Sequence, residues 1–187
     1  MKRRLTTLLA CACLLIINLT QVVNAQTRAQ DDVLVKAAFI YNFTKFTRWP
    51  ENTWIRQNAP LNLCVIGKDA LSAALEPLNT KIIKGHPVTI HHLKSIQAEK
   101  DCHLLYIATS ENESYKDILK SVQNQPILTI SEIPGFVRPK GIIELYRGKN
   151  QTHFIINLSV AEDAGLEFSS RLLDLAVVIS REEPRCI

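Results

Sequence analysis

Three short apolar runs constrain this chain most: Leu61–Ile66 (LNLCVI), His103–Ala108 (HLLYIA) and Ile127–Ile130 (ILTI). A strand with one wet face alternates polar and apolar residues, and these runs do not, so they ask for burial on both faces. Helical text follows the first two. Asp69–Leu78 places Asp69 as a cap and Leu71, Ala74, Leu75 and Leu78 on one face. Tyr115–Val122 follows a polar turn. Strands alternating with helices at these separations predict an α/β fold, with a mainly parallel central sheet and flanking helices. Between the first helix and the second strand, Ile82–Ile83 and Val88–His91 read as short extended pieces around the turn Lys84-Gly85-His86-Pro87.

The two ends of the chain read differently. From Asp32, apolar residues fall on several adjoining helical stripes (Val33, Ala37, Ile40; Leu34, Ala38, Tyr41; Phe39, Phe43, Phe46), which predicts a helix buried over much of its circumference. Trp49-Pro50 is its expected stop. Its aromatics, with Trp49 and Trp54, suit a core and, secondarily, a dimer seam. Near the other end, Gly141–Tyr146 and His153–Asn157 flank Arg147–Gln151 as a β-hairpin. Leu158–Ala164 and Phe168–Ile179 are expected helices, broken at Gly165. The sheet should therefore finish in a C-terminal β-hairpin plus helix.

Residues 1–25 carry Lys2, Arg3 and Arg4, then the apolar run Leu5–Ile17, then Val23-Asn24-Ala25 with small residues at −3 and −1. This is the pattern of a secretory signal peptide cleaved after Ala25. A membrane anchor needs roughly 20 apolar residues, and Asn18, Thr20, Gln21 and Asn24 interrupt this one. The organisation expected is a signal peptide (1–25), a flexible mature N-terminus (26–31), a single domain (32–180) and a polar tail (181–187). Three of the 22 basic residues and none of the 18 acidic ones precede residue 26, which leaves 19 against 18, a net charge of +1. That balance offers no electrostatic footprint for nucleic acid. Of five cysteines, only Cys64, Cys102 and Cys186 lie beyond the signal. In an oxidising compartment they allow one bridge and leave one thiol over.

Chemistry is sparse. No GxSxG, SxxK or paired Cys–His context marks a nucleophile, so no catalytic residue is assigned. His91-His92, with His86 and His103 nearby, raise the question of a metal. However, adjacent strand residues face opposite ways and no ligand spacing supports one. Gly67-Lys68-Asp69 leads from strand to helix, where amides can hold an anion. Without GxGxxG or a P-loop it reads as a turn and cap, so no cofactor is expected.

The segments LVKAAFIYNFTKFTRWP (Leu34–Pro50), CVIGKD (Cys64–Asp69), CHLLYIA (Cys102–Ala108), ILTISEIPGF (Ile127–Phe136) and SSRLLDLA (Ser169–Ala176) occur in one order. Together, over roughly Val33 to Ile179, they resemble the YfiR family of periplasmic regulators. The resemblance implies an α/β domain that forms homodimers. It implies a role as a non-enzymatic repressor, binding the periplasmic part of an inner-membrane diguanylate cyclase and lowering cyclic di-GMP and biofilm formation. An outer-membrane OmpA-like lipoprotein is the implied antagonist. Secretion and the resemblance together imply a structural disulfide between Cys64 and Cys102. The alternative is two buried free thiols. Cys186 stands alone after residue 102, so the second internal bridge of some family members has no counterpart.

Two site expectations remain. The loop Ser131–Lys140 sets Phe136, Val137 and Arg138 between Pro134 and Pro139. An aromatic beside an arginine in a stiffened loop suits a partner-binding hot spot, or else a tucked loop with Phe136 buried. The alternative function is a periplasmic small-ligand receptor or enzyme, using the strand-end crevice near Gly67 and Ala108–Ser110.

Overall fold

A computed structural model describes residues 30–54, 56, 58–95, 101–149 and 151–180. The expected signal peptide and its cleavage point, and the tail with Cys186, lie outside the described residues.

Helix α1 (residues 30–46) ends three residues before Trp49-Pro50. Its chain passes straight into β1 (Thr47–Arg48), which pairs antiparallel with β9 (Glu167–Phe168). The last turn is marked by Thr44 and Thr47, whose hydroxyls donate back to the Ile40 and Phe43 carbonyls at 2.9 and 2.7 Å. Strand β2 (Leu61–Ile66) leads to α2 (Ala70–Ala74). Asp69 caps α2 in a reciprocal box with Ser72: the Ser72 amide donates to Asp69 Oδ1 at 2.7 Å, and the Asp69 amide donates to Ser72 Oγ. The expected helix to Leu78 is shorter than anticipated. Pro77 gives up a backbone donor, and Glu76–Leu78 continues only as a 3₁₀ turn.

The remaining elements are β3 (Ile82–Ile83), β4 (His86–Leu93), β5 (Leu104–Ile107), α3 (Tyr115–Ser121), β6 (Leu128–Ser131), β7 (Ile143–Arg147), β8 (Thr152–Asn157), α4 (Leu158–Asp163), α5 (Ser170–Leu173) and β10 (Val177–Ile179). They build an eight-stranded sheet in the order β10-β8-β7-β6-β5-β2-β4-β3. Pairings from β7 through β4 are parallel, as are β10 and β8. The β7–β8 hairpin and the β3–β4 edge are antiparallel.

Alternate positions along the strands face two apolar layers. On one face Leu63, Val65, Leu104, Tyr106, Leu128, Ile130, Ile143, Phe154 and Ile156 pack with Ile40 and Phe43 of α1. Phe43 and Phe154 meet at 4.8 Å between ring centroids. On the other, Cys64, Ile66, Leu105 and Ile107 meet Tyr115 and Leu119 of α3, with Ile133 and Phe136 of the following loop.

The expected C-terminal helix over Phe168–Ile179 is corrected. Only Ser170–Leu173 is helical, and Val177–Ile179 instead adds an edge strand parallel to β8, with Val177 opposite Ile155. Val-Val-Ile is β-branched text, and a strand already in place offers it backbone partners that an isolated turn does not.

Candidate functional site

The carboxyl ends of the parallel strands are where an α/β sheet ordinarily takes a ligand. Here that end is occupied by the protein's own side chains. Asp69, after β2, accepts the Tyr106 hydroxyl at 2.9 Å and the Thr109 amide at 2.8 Å on Oδ2. Burial, reinforced by the Asp69 and Glu132 carboxylates, pushes the Tyr106 phenol far above its ordinary pKa and keeps it a donor. Lys36 of α1 reaches across to Glu132 after β6, at 2.6 Å, and to Asp32 one helical turn back, at 2.7 Å. Asp32 also takes the Thr152 hydroxyl at 3.0 Å and the Arg147 guanidinium at 3.2 Å. Burial alone would lower Lys36 and raise Asp32. Their mutual hydrogen bond, the bonds to Glu132 and Thr152, and the facing charges outweigh it, so Lys36 is raised and Asp32 lowered. The string Asp69–Tyr106…Glu132–Lys36–Asp32–Arg147 thus closes this end and fastens α1 to it.

The crevice near Gly67 is closed as well. Gly67 has φ +83°, and a Cβ built there would stand 2.5 Å from Ser110 Oγ and 2.8 Å from Glu111 Cγ. The Lys68 amide donates to the same Ser110 Oγ at 2.9 Å. Glycine is needed here both for its backbone angle and for the close approach.

The amino ends of the strands are open. A cleft of about 920 Å³ lies before β2, β5 and β6, lined among the described residues by Asn52, Arg56, Asn58 and Asn62, with Asp101–His103 and Gln125–Ile127. Of its lining residues, His103 belongs to a ladder of rings that runs behind the cleft. Trp54 is stacked between His86 (centroids 3.8 Å apart, planes at 17°) and His103 (4.5 Å, 10°). The His86 Nδ1–H donates to the Ala59 carbonyl at 2.7 Å, since a carbonyl only accepts. His103 Nδ1 accepts the Asn62 amide at 3.0 Å, which fixes the neutral ring with its proton on Nε2. Burial, with a smaller push from His86 and against the pull of Asp101, lowers His103 to about 4. The indole of Trp49 donates to the His103 carbonyl at 3.1 Å. His91 and His92 diverge, the first toward Asn62 and the second toward Glu76.

Cys64 and Cys102 are joined by a disulfide, with Cα atoms 5.8 Å apart. Strands β2 and β5 are direct neighbours, and the bridge fastens the segment entering β5 at the edge of the cleft.

The loop after β6 is tucked. The Gly135 and Val137 amides donate to Glu144 at 3.0 and 3.4 Å, and the Val137 carbonyl accepts from Asn157 Nδ2 at 2.9 Å. Phe136 is fully buried against Tyr115 and Val137 is buried, while Arg138 is exposed. A Cβ at Gly141 would fall 2.4 Å from the Phe136 ring, so the loop closes over that ring only with glycine there. The expectation of Phe136 and Val137 as contact residues is corrected accordingly. They are core, and Arg138 alone of the three faces outward.

Asn52, Arg56, Asn58, Asp101 and Gln125, which line the cleft, were not singled out from the sequence. The amide-rich, Pro-ended run Glu51–Pro60 was the available sign of a long connection into a strand's amino end.

The profile of the YfiR/HmsC-like family matches residues 34–177, from the second turn of α1 to the first residue of β10. No curated protein matches the chain.

Proposed function

This chain belongs to the YfiR/HmsC-like family, and from that membership we propose that it is a periplasmic regulator that acts by binding. Its partner is the periplasmic part of an inner-membrane diguanylate cyclase, which it holds inactive, so that cyclic di-GMP and biofilm formation fall. The match over residues 34–177 carries this reading. The mechanism needs no turnover by this chain. A repressor that binds the cyclase's inactive state tenfold more tightly than its active one shifts the equilibrium by about 1.4 kcal/mol. Secretion through residues 1–25, homodimer formation and sequestration by an outer-membrane OmpA-like lipoprotein belong to the same proposal.

Exposed apolar residues support a protein partner. Leu175, Val177 and Val178 lie exposed at and beside the β10 edge, and an uncharged open edge strand invites pairing. The exposed Arg138 is the remaining contact residue of the loop after β6.

Capture of the cyclase's periplasmic segment by the secreted protein, combined with deletion of its gene, tests the proposal. Binding and a rise in cyclic di-GMP are expected. No capture, and unchanged cyclic di-GMP in a strain that expresses the cyclase, would overturn it. Arg138→Ala should keep native melting and weaken capture about tenfold, or about 1.4 kcal/mol. Unaltered capture removes the loop from the contact surface.

A further inference from the structure

The two edges of the large sheet are finished differently. At the β3 edge Ile82 is 69% exposed and Ile83 only 3%, so one face of the strand is covered and the other is wet. At the β10 edge Val177 is 50% exposed and Val178 is 41% exposed. Neighbouring strand residues point to opposite faces, so β10 stands bare on both. Val178 lies beside Ile156 on the α1 side of the sheet, and Val177 beside Ile155 on the other side. Leu175, just before the strand, is exposed as well. Among the described residues no strand pairs with the outer side of β10.

Proteins ordinarily blunt such an edge with a lysine, a proline or a bulge. Here Asp174 and Arg181 bracket six uncharged residues, 175–180, with no proline among them. Bareness on both faces decides the shape of what covers the edge. A helix or a flat surface laid on one face of the sheet would cover Val177 or Val178, not both. A strand added at the edge continues both faces at once, and its main chain meets the outward N–H and C=O groups of β10. Area then decides between a second copy and a segment of another protein. Leu175, Val177 and Val178 together leave roughly 250 Å² of apolar side chain in water. Set against itself about a two-fold axis, that patch would bury about 500 Å², well under the roughly 1,200–2,000 Å² of a stable interface. A single extended segment draws on main-chain hydrogen bonds and needs no such area.

We propose that the outer edge of β10 takes up an extended, uncharged segment of the partner protein as an added strand. The segment it fits carries β-branched or aromatic residues beside Val177–Ile179, where such side chains pair best across strands. This inference rests on the regulatory reading and gives it a contact surface: the recognised element is a strand of the cyclase's periplasmic part, and binding lengthens the sheet.

The test is amide hydrogen exchange of the secreted protein, alone and with the cyclase's periplasmic segment, together with capture by Val177→Lys, Val178→Lys and Val178→Thr variants. Slowed exchange of the outward amides within Val177–Ile179 is expected in the complex and not in the protein alone. Each lysine should weaken capture about tenfold or more while melting stays near native, because a charge on an edge strand opposes pairing. Val178→Thr keeps the branched shape and should hold capture within about threefold. If a lysine variant unfolds, the exchange pattern of the parent complex decides. Capture undiminished by both lysines, or slowed exchange confined to another surface, overturns the inference and leaves the regulatory reading standing. Outward amides already slow in the protein alone would show the edge covered by this chain or by a second copy, and overturn it too. No capture by the parent protein overturns both.

Discussion

The two ends of the parallel sheet differ in how they are finished. At the carboxyl ends, side chains from α1, from β5 and from residues following β2 and β6 join into a half-buried string of ion pairs and hydrogen bonds, and Gly67 lets Ser110 and Glu111 close the gap. At the amino ends, a ring stack and a disulfide hold up a wall whose polar groups face an open cleft. The difference teaches that the customary ligand crevice of an α/β sheet is a property of what fills it as well as of topology. With ions spent on anchoring a helix at one end, the accessible polar surface moves to the other.

Lys36→Met attacks the contrast hardest. It leaves the Asp32 and Glu132 carboxylates partly buried without their shared cation. Unfolding in urea should show a loss of about 3–5 kcal/mol, and a loss under 1 kcal/mol would mean the string is ornamental. The pH signs follow from the shifts. Asp32, lowered in the fold, contributes stability above its unfolded value that is lost as pH falls through the folded one. Lys36, raised, contributes stability below its unfolded value that is lost as pH rises through the folded one.

At the other end, His103 dominates the pH response. Its folded pKa of about 4 lies below the ordinary 6.5, so the unfolded chain binds the extra proton first and stability falls as pH drops from 6.5 toward 4. That window is worth at most about 3 kcal/mol. His103→Gln, which still offers an acceptor to the Asn62 amide, should flatten the melting temperature across it. A variant as acid-sensitive as the parent assigns the effect elsewhere.

Gly67→Ala probes the closed crevice directly, and the left-handed backbone there should cost about 1–2 kcal/mol. An unaltered denaturation midpoint would show that the crevice has slack. Asn58→Ala at the open cleft should move stability by no more than about 0.5 kcal/mol. A larger loss would make the amino-end wall a structural element like its counterpart.

Much of the sheet was legible because its signals are local. Leu61–Ile66, the hairpin strands and the Asp69 cap announce themselves within a few residues. Val177–Ile179 was not legible. Leu172, Leu173, Leu175 and Ala176 carry helical spacing straight up to it, and only β8, more than 20 residues earlier in the chain, decides for a strand. Phe136 was ambiguous for a related reason. Prolines advertise a stiff loop but not its direction, and the decisive space is made by Gly141 and by Glu144 beneath. The ion string joins Lys36 to Glu132, 96 residues away, the Thr152 hydroxyl reaches Asp32 across 120 residues, and the ring ladder joins Trp54 to two histidines on separate strand entries. Such pairings exist only after the fold has brought the strands into order.

Both tryptophans of the chain, Trp49 and Trp54, pack on His103, which lines the amino-end cleft. Indole emission therefore watches one end of this molecule and is blind to the other. An imidazolium beside an excited indole quenches it, so Trp54 carries a built-in quencher in His103, whose action switches on only as that ring takes up its proton, near pH 4. Light from the native protein should report events at the cleft without any added dye, and a detachment of the first turns of α1 would pass optically unseen.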